Sequence, residues 1–302
     1  MAWQTIERFT RRGSRRAAVA AVAVFCMVLH AAVPAQADIA DLQRRAEGGN
    51  AQAQNNLGLA YQTGDGVQPD PAGAFRWYEK AAKQGLAIAQ HNLGLMYDEG
   101  SGVDKDARMA AYWYERAASQ GLSIAQNNLG VMYDEGTGVE RDAAEAAKWY
   151  RLAAEQGLAL AQYNLGMAFQ YGRGVVRNAA EAVRWYRAAA QQDLPSAQQI
   201  LGMMYDLGRG VERDGEQALY WYQRAADQGD AIAQYLLGLR YQDGEGVAVD
   251  PLLAYKWMNA AAESGLEQAK AARAEIVAGL SADQRSHLGL APAREKGAEA
   301  PQ

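Results

Sequence analysis

The chain has 302 residues, 31 of them glycine and 7 proline, with 49% hydrophobic residues and a formal net charge of −5. An acidic balance repels nucleic acid and anionic membrane surfaces at long range, so no nucleic-acid partner is expected. A single cysteine, Cys26, excludes an intramolecular disulfide framework.

Arg8, Arg11, Arg12, Arg15 and Arg16 give a basic opening, and the run from Ala17 to Val33 is almost wholly apolar. Ala35-Gln36-Ala37 then places small residues where a signal peptidase reads. Residues 1–37 are predicted to be a signal peptide cleaved after Ala37, which sends the protein to the periplasm or out of the cell. The run falls short of the ~20 residues of a membrane span, so no membrane insertion is expected after processing. Gly13-Ser14 stand where a twin-arginine signal wants an apolar pair, and Phe25 precedes Cys26 where lipid attachment wants a small residue; ordinary export is expected. Cleavage removes five basic residues and one acidic residue. It leaves 25 Lys+Arg against 34 Asp+Glu, a net charge of −9, and no cysteine.

Residues 38–52 read as a capping half-repeat in which Asp41 occupies the place of a tryptophan. From 53 to 265 one unit recurs six times. Ala53-Gln54 returns at Ala89-Gln90, Ala125-Gln126, Ala161-Gln162, Ala197-Gln198 and Ala233-Gln234, every 36 residues without insertion. Trp77, Trp113, Trp149, Trp185, Trp221 and Trp257 obey the same period. Such regularity predicts an all-α solenoid.

Within a copy, Ala89, Leu93 and Tyr97 form one stripe of a first helix, helix A. Ala110, Trp113, Tyr114, Ala117 and Ala118 form the buried stripe of a second, helix B. Gly100 and Gly102 bracket the turn between them and are expected at positive φ. Helix B opens at Asp70, Asp106, Asp142, Asn178, Asp214 and Asp250; the tolerated swap of Asp for Asn keeps the accepting oxygen and loses the charge, which marks N-caps and not catalytic acids. Glu145, Glu181 and Gln217 are predicted to close capping boxes. Gly85, Gly121, Gly157, Gly229 and Gly265 suit a left-handed position after helix B; Asp193 replaces glycine in the fourth copy, where the most irregular junction is expected.

Gly58, Gly94, Gly130, Gly166, Gly202 and Gly238 fall in the middle of helix A, where glycine costs ~1 kcal/mol relative to alanine. A repeated cost implies close approach of helix B. The tryptophans, each with alanine four residues on, are read as core and not as a sugar-stacking ladder. Residues 266–290 are predicted to be C-terminal capping helices, polar outside at Arg273, with Ser281 and Gln284 as a capping box. Residues 291–302 are short of apolar side chains and expected to be disordered. Capped at both ends, the solenoid is expected to be a monomer.

The pattern Ala-Gln-x-x-Leu-Gly-x-x-Tyr, Gly-x-Gly-Val, Ala-x-x-Trp-Tyr-x-x-Ala-Ala-x-Gln-Gly resembles the Sel-one-like repeat family, a relative of tetratricopeptide repeats. The resemblance implies a right-handed superhelix of antiparallel helix pairs. It implies a scaffold or adaptor that binds another protein or an extended peptide, not an enzyme. A cysteine-rich exported branch of the family is linked to β-lactam binding and hydrolysis. Its paired cysteines are missing here, so that activity does not carry over.

In tetratricopeptide-like superhelices helix A lines the concave wall, which makes its variable positions the candidate partner-binding surface. Asn56, Asn92, Asn128 and Asn164 form a row that ends at Ile200 and Leu236; beside it lie His91, Tyr163 and Tyr235, and one turn on lie Asp98, Asp134 and Asp206. The asparagines are expected to pair with the backbone of an extended peptide. Local bonding of each asparagine to the neighbouring repeat is the alternative. The aspartates predict a basic partner and salt-sensitive binding. Glycan binding through Tyr163 and Tyr235, or hydrolysis of envelope fragments by carboxylates such as Asp98 and Asp134, are competing readings. His30, His91 and His287 are isolated, and no metal site or cofactor is expected.

Overall fold

The computed structural model describes residues 39–291; the signal peptide predicted over 1–37 lies outside them, as does the predicted tail from residue 292. Among the described residues all regular structure is helical. The elements are α1 (Ile39–Glu47), α2 (Ala51–Thr63), α3 (Pro71–Lys83), α4 (Ala87–Glu99), α5 (Ala107–Ser119), α6 (Ser123–Glu135), α7 (Ala143–Glu155), α8 (Ala159–Tyr171), α9 (Ala179–Ala190), α10 (Pro195–Leu207), α11 (Gly215–Asp227), α12 (Ala231–Asp243), α13 (Pro251–Glu263), α14 (Glu267–Gly279) and α15 (Ala282–His287). The chain forms two compact units that divide within α7, between Ala153 and Ala154.

In the N-terminal unit α2 pairs with α3 and α4 with α5 as antiparallel hairpins. The end of each A helix meets the start of its B helix: Asp70 N–H donates to Tyr61 O and Asp106 N–H to Tyr97 O, both at 2.9 Å. Mid-helix, the glycine expected to admit a close neighbour does so. A Cβ on Gly94 would stand 2.8 Å from Cδ1 of Tyr114, and one on Gly130 would stand 2.7 Å from Cε1 of Tyr150. The neighbour is therefore a tyrosine ring packed on helix A, and Tyr114 is buried in one cluster with Ala110, Ala117 and Ala118. Gly130→Ala is expected to destabilise by about 1–3 kcal/mol through overpacking, outweighing the ~1 kcal/mol gain in helix propensity. A thermal melt in which the variant equals the native protein would remove this packing argument.

Adjacent repeats are tied by glutamines. Gln90 Nε2 donates to Ala82 O at the end of α3 (3.1 Å), adding a side-chain donor to a terminal carbonyl that also accepts from Gly85 N–H (3.0 Å). Its Oε1 accepts from Gln120 Nε2 at the end of α5 (2.7 Å). Gln54 does the same between Ala46 O (3.0 Å) and Gln84 (2.6 Å). The second glycine of the second and third turns adds a backbone contact with the preceding repeat. A Cβ on Gly102 would stand 2.2 Å from Pro71 O, and one on Gly138 would stand 2.0 Å from Ala107 O.

The C-terminal unit repeats the scheme. Gly166 and Gly202 receive the rings of Tyr186 and Tyr222. Gln162 and Gln198 bridge Ala154 O (3.3 Å) and Ala190 O (3.1 Å) to Gln192 (2.9 Å) and Gln228 (2.8 Å). After helix B the predicted left-handed glycines are in place, with Gly229 at φ 86 and Gly265 at φ 88. Asp193 adopts φ 61, the one positive value outside glycine among the described residues. Its carboxylate accepts from Gln198 Nε2 (3.1 Å) and pairs with Arg224, which offsets part of the strain. α9 ends a residue early there, as the expected irregularity requires.

Helix B starts mostly as predicted. Asp106, Asp142, Asn178, Asp214 and Asp250 accept from amides of the first turn, for example Met109 N–H at 3.1 Å. Asp70 makes no such bond; its carboxylate lies against Gly73 and pairs with Arg76 (3.4 Å). The boxes predicted at Glu145 and Glu181 do not close. The N-cap amide that such a box needs is already bonded to helix A, Asp142 to Tyr133 O and Asn178 to Phe169 O. Glu145 turns to Lys148 (2.6 Å) and Glu181 to Arg184 (3.1 Å) instead. Asp214 N–H is likewise taken, by Tyr205 O (3.0 Å). Ser281 and Gln284, ahead of α15, do form a reciprocal box. Trp113, Trp185, Trp221 and Trp257 are buried, consistent with core packing.

Candidate functional site

The variable positions of helix A carry the candidate site, and each unit presents its own part. In the N-terminal unit the asparagine row is a directional hydrogen-bonded chain running across α2, α4 and α6. Asn92 Nδ2 donates to Asn55 Oδ1 (3.0 Å), and Asn56 Oδ1 accepts from Gln52 Nε2 (2.9 Å). Asn128 Nδ2 donates to His91 Nε2 (3.3 Å), so the proton of that imidazole sits on Nδ1 and faces Asn92 Oδ1 at 3.3 Å. The local alternative for the asparagines is therefore realised at Asn92 and Asn128.

His91 and Asn128 are only 2% and 6% exposed, so neither offers a side chain to a partner in this structure. This corrects their expected place on the open wall. The neighbouring helices cover them, and period alone does not report that cover. Asn56 and Asn92 remain partly exposed, as do Asp98 and Asp134 one turn on. Lys105 stands 3.9 Å from Asp98. Glu99, beside it, has its carboxyl pushed up by burial and then by the Asp98 charge.

Burial drives the His91 pKa down to about 4, against the opposing hydrogen bond to Asn92. Between pH 6.5 and about 4 the unfolded chain binds a proton that the folded chain refuses. Stability is full above that window and falls as the pH drops through it, by roughly 3 kcal/mol from this group. The raised carboxyls of Glu99 and Asp230 act in the opposite sense at the acid end. His91→Asn, which copies Asn55 and Asn127, is expected to flatten the slope across this window in urea titrations at several pH values. An unchanged slope would relieve His91 of that role.

In the C-terminal unit the predicted site residues have other occupations. Tyr163 is half-buried against Tyr186, with ring centroids 5.9 Å apart, and burial raises its pKa. Tyr235 packs on the C-terminal core. Asn164 is partly exposed. Asp206 is not free for a basic partner, because it is bound to the buried Arg240 and accepts from Tyr222 Oη (3.4 Å). Arg240 Nη1 also donates to Glu245 O (2.8 Å).

The exposed aromatic side chains are different ones, Tyr112 (45%) and Tyr220 (49%), both on helix B. Each stands edge-on to the next tryptophan, with centroids 5.0 and 4.9 Å apart, and each hydroxyl accepts from an arginine four residues on, Arg116 or Arg224. Sequence reading passed over them because they adjoin Trp-Tyr pairs assigned to the core; the visible signal was Tyr where the other copies have Arg or Lys. Among the described residues no group of three or more His, Cys, Asp or Glu could hold a metal ion, and no helix is long and apolar enough to cross a membrane.

Helix pairs of 36 residues, stacked by glutamine and glycine contacts, define a helical-repeat protein of the solenoid class. The chain belongs to the Sel1 repeat family: the repeat matches residues 51–86, 87–122, 123–158, 159–194, 195–230 and 231–266. Members of this family are generally protein-interaction scaffolds. Among solved structures it is similar to c5321, described as a protective antigen of uropathogenic Escherichia coli with an SLR fold. The two share 34% identity with a TM-score of 0.58, over 86% of this chain and 62% of that one. This chain thus spans less than two thirds of the antigen's length. It is also similar to a Sel1 repeat protein from Oxalobacter formigenes, at 37% identity and TM-score 0.65, over 70% of this chain and 85% of the other. Comparison with curated proteins gave no match.

Proposed function

We propose that the protein is an exported interaction scaffold whose helix-A faces bind a basic, extended segment of a partner protein. The observation that carries this reading is the pairing of a pre-ordered amide row with carboxylates one turn away. Asn56 and Asn92 are held in place by Gln52 and Asn55, and Asp98 and Asp134 stand partly exposed beside them. Side chains already fixed by their neighbours lose little entropy on binding. Carboxylates at repeat spacing favour Lys or Arg side chains in an extended chain. Buried His91 and Asn128 act behind this surface as its support. Export rests on the basic opening, the apolar run from Ala17 to Val33 and the Ala35-Gln36-Ala37 site.

The test is crosslinking of the tagged mature protein in its native envelope, alongside an Asp98→Ala/Asp134→Ala variant with unchanged circular dichroism. Recovery of a discrete protein that is lost with the variant and with added salt supports the reading. Equal recovery by the folded variant removes the helix-A face from consideration. Glycan binding is a second reading, favoured by the exposed rings of Tyr112 and Tyr220, which Arg116 and Arg224 hold in orientation. Retention on purified cell-wall glycan that is abolished by Tyr112→Ala/Tyr220→Ala would support it instead.

A further inference from the structure

The six copies are alike in sequence, but the sixth lacks connections that earlier ones make. Among the described residues, the buried side-chain acceptors without a partner are Gln234 Oε1, Gln242 Oε1 and Gln268 Oε1, all in the sixth copy or the cap behind it. Unpartnered indole N–H groups at Trp113, Trp149, Trp185 and Trp221 recur through the middle copies and so do not single out an end. The acceptors do.

Two of the three have satisfied counterparts earlier in the chain. Gln54, Gln90, Gln162 and Gln198 each accept from a glutamine 30 residues on. For Gln234 that place is held by Ser264, too short to reach. Gln62 and Gln170 accept from the hydroxyls of Tyr78 (2.8 Å) and Tyr186 (2.5 Å). For Gln242 the corresponding residue is Met258, which has no hydroxyl.

The turn of the sixth copy is also looser than those of the third and fifth. Arg141, Arg177 and Arg213 each donate Nε to a carbonyl at the end of helix A, at 2.8, 3.1 and 2.9 Å. Val249 stands in their place, 60% exposed, and offers no donor. A Cβ on Gly246 would stand 3.8 Å from Gly215 O, where its counterpart on Gly210 would be 2.3 Å from Ala179 O. The close backbone contact made at Gly102, Gly138 and Gly210 is absent, as it is at Gly66 of the first copy. The missing bonds lie within the sixth copy; its boundary with the fifth keeps Gln234 Nε2 on Ala226 O (3.2 Å) and gains Arg240, which pairs with Asp206 where the second, third and fifth copies carry Met96, Met132 and Met204.

We infer that α12 and α13, with the cap α14–α15 behind them, form a weak link that opens as a unit while the rest of the chain stays folded. Each lost bond leaves a desolvated acceptor that regains water on opening, so opening is favoured here over the better-satisfied copies. In a repeat array such a difference is not averaged away, because each copy is held only by its neighbours. Because the missing bonds are internal to the copy, the device is local unfolding of the C-terminal end, which uncovers the apolar face of α10 and α11.

Native-state hydrogen exchange on the full chain tests this. Both terminal copies sit at an end of the array, so simple fraying would affect them alike. The expected result is faster exchange, by an order of magnitude or more, in α12 and α13 than in α2 and α3. Met258→Tyr with Ser264→Gln restores two bonds and is expected to slow exchange in α12 and α13 by roughly 5–30-fold, with α2 and α3 unchanged. Ser264→Gln alone, on the exposed end of helix B, is the variant that does not touch the core and is expected to give the smaller part of that gain. Equal exchange in the two terminal copies of the native protein would overturn the inference. So would exchange in α12 and α13 that keeps step with α10 and α11.

Discussion

Gly138→Ala is expected to be among the most damaging single-methyl changes in the N-terminal unit, at roughly 3–5 kcal/mol. Two costs combine. Gly138 has φ 72, where an L residue is strained by about 1–2 kcal/mol. Its Cβ would also fall 2.0 Å from Ala107 O, a backbone atom at the start of α5 that no rotamer change can move. Either the turn leaves helix B of the preceding copy or the first turn of α5 unwinds. Gly121→Ala separates the two costs, because Gly121 has φ 91 and nothing within 4 Å of the new methyl group. That variant should lose only the strain. Urea unfolding followed by circular dichroism compares them directly, and a Gly138→Ala midpoint no lower than that of Gly121→Ala would refute the close backbone contact.

The second large effect is expected at Asp206. Removing this carboxylate leaves the Arg240 guanidinium buried with only Glu245 O and the ring of Tyr222 near it, 5.7 Å from the centroid. Breaking a buried pair on one side costs about 3–5 kcal/mol, most of it the desolvated charge that remains. Asp206→Ala should therefore be far less stable than the native protein. The revealing comparison is the double variant Asp206→Ala/Arg240→Met. Methionine occupies this position in three other copies, so the double variant is expected to recover most of the loss, with a coupling energy of several times the ~0.5 kcal/mol typical of independent sites. Additive losses in the double variant would mean that the two residues stabilise the fold separately.

Much of the architecture is legible in the residues because each device recurs. A glycine in mid-helix, repeated six times at a cost, had to meet something: a tyrosine ring in the first five copies and Met258 in the sixth. Asp193, the odd residue in a row of glycines, was recognisable as a strained position for the same reason. The capping boxes failed because a local motif was read locally: Glu145 and Glu181 have the right spacing, but the amide they would bond is claimed by a carbonyl nine residues upstream. The site was harder. His91 and Asn128 occupy the same register as partly exposed Asn56 and Asn92, and only the neighbouring helices decide which is covered. Arg240 was visible as a charge in a methionine column, though its partner Asp206 had been assigned to the acidic row.

The glutamine ties make every internal copy both a giver and a receiver at its two boundaries. Gln90 fastens one copy to the carbonyl end of the one before, and Gln126 repeats the act on Ala118 O (3.2 Å). A gene that gains or loses a whole 36-residue segment in its interior would thus rejoin matching boundaries and keep the glutamine ties. After the sixth copy Lys270 stands where the next glutamine of the series would fall. Growth of such an array by duplication is open from within, and the series of ties stops at the cap.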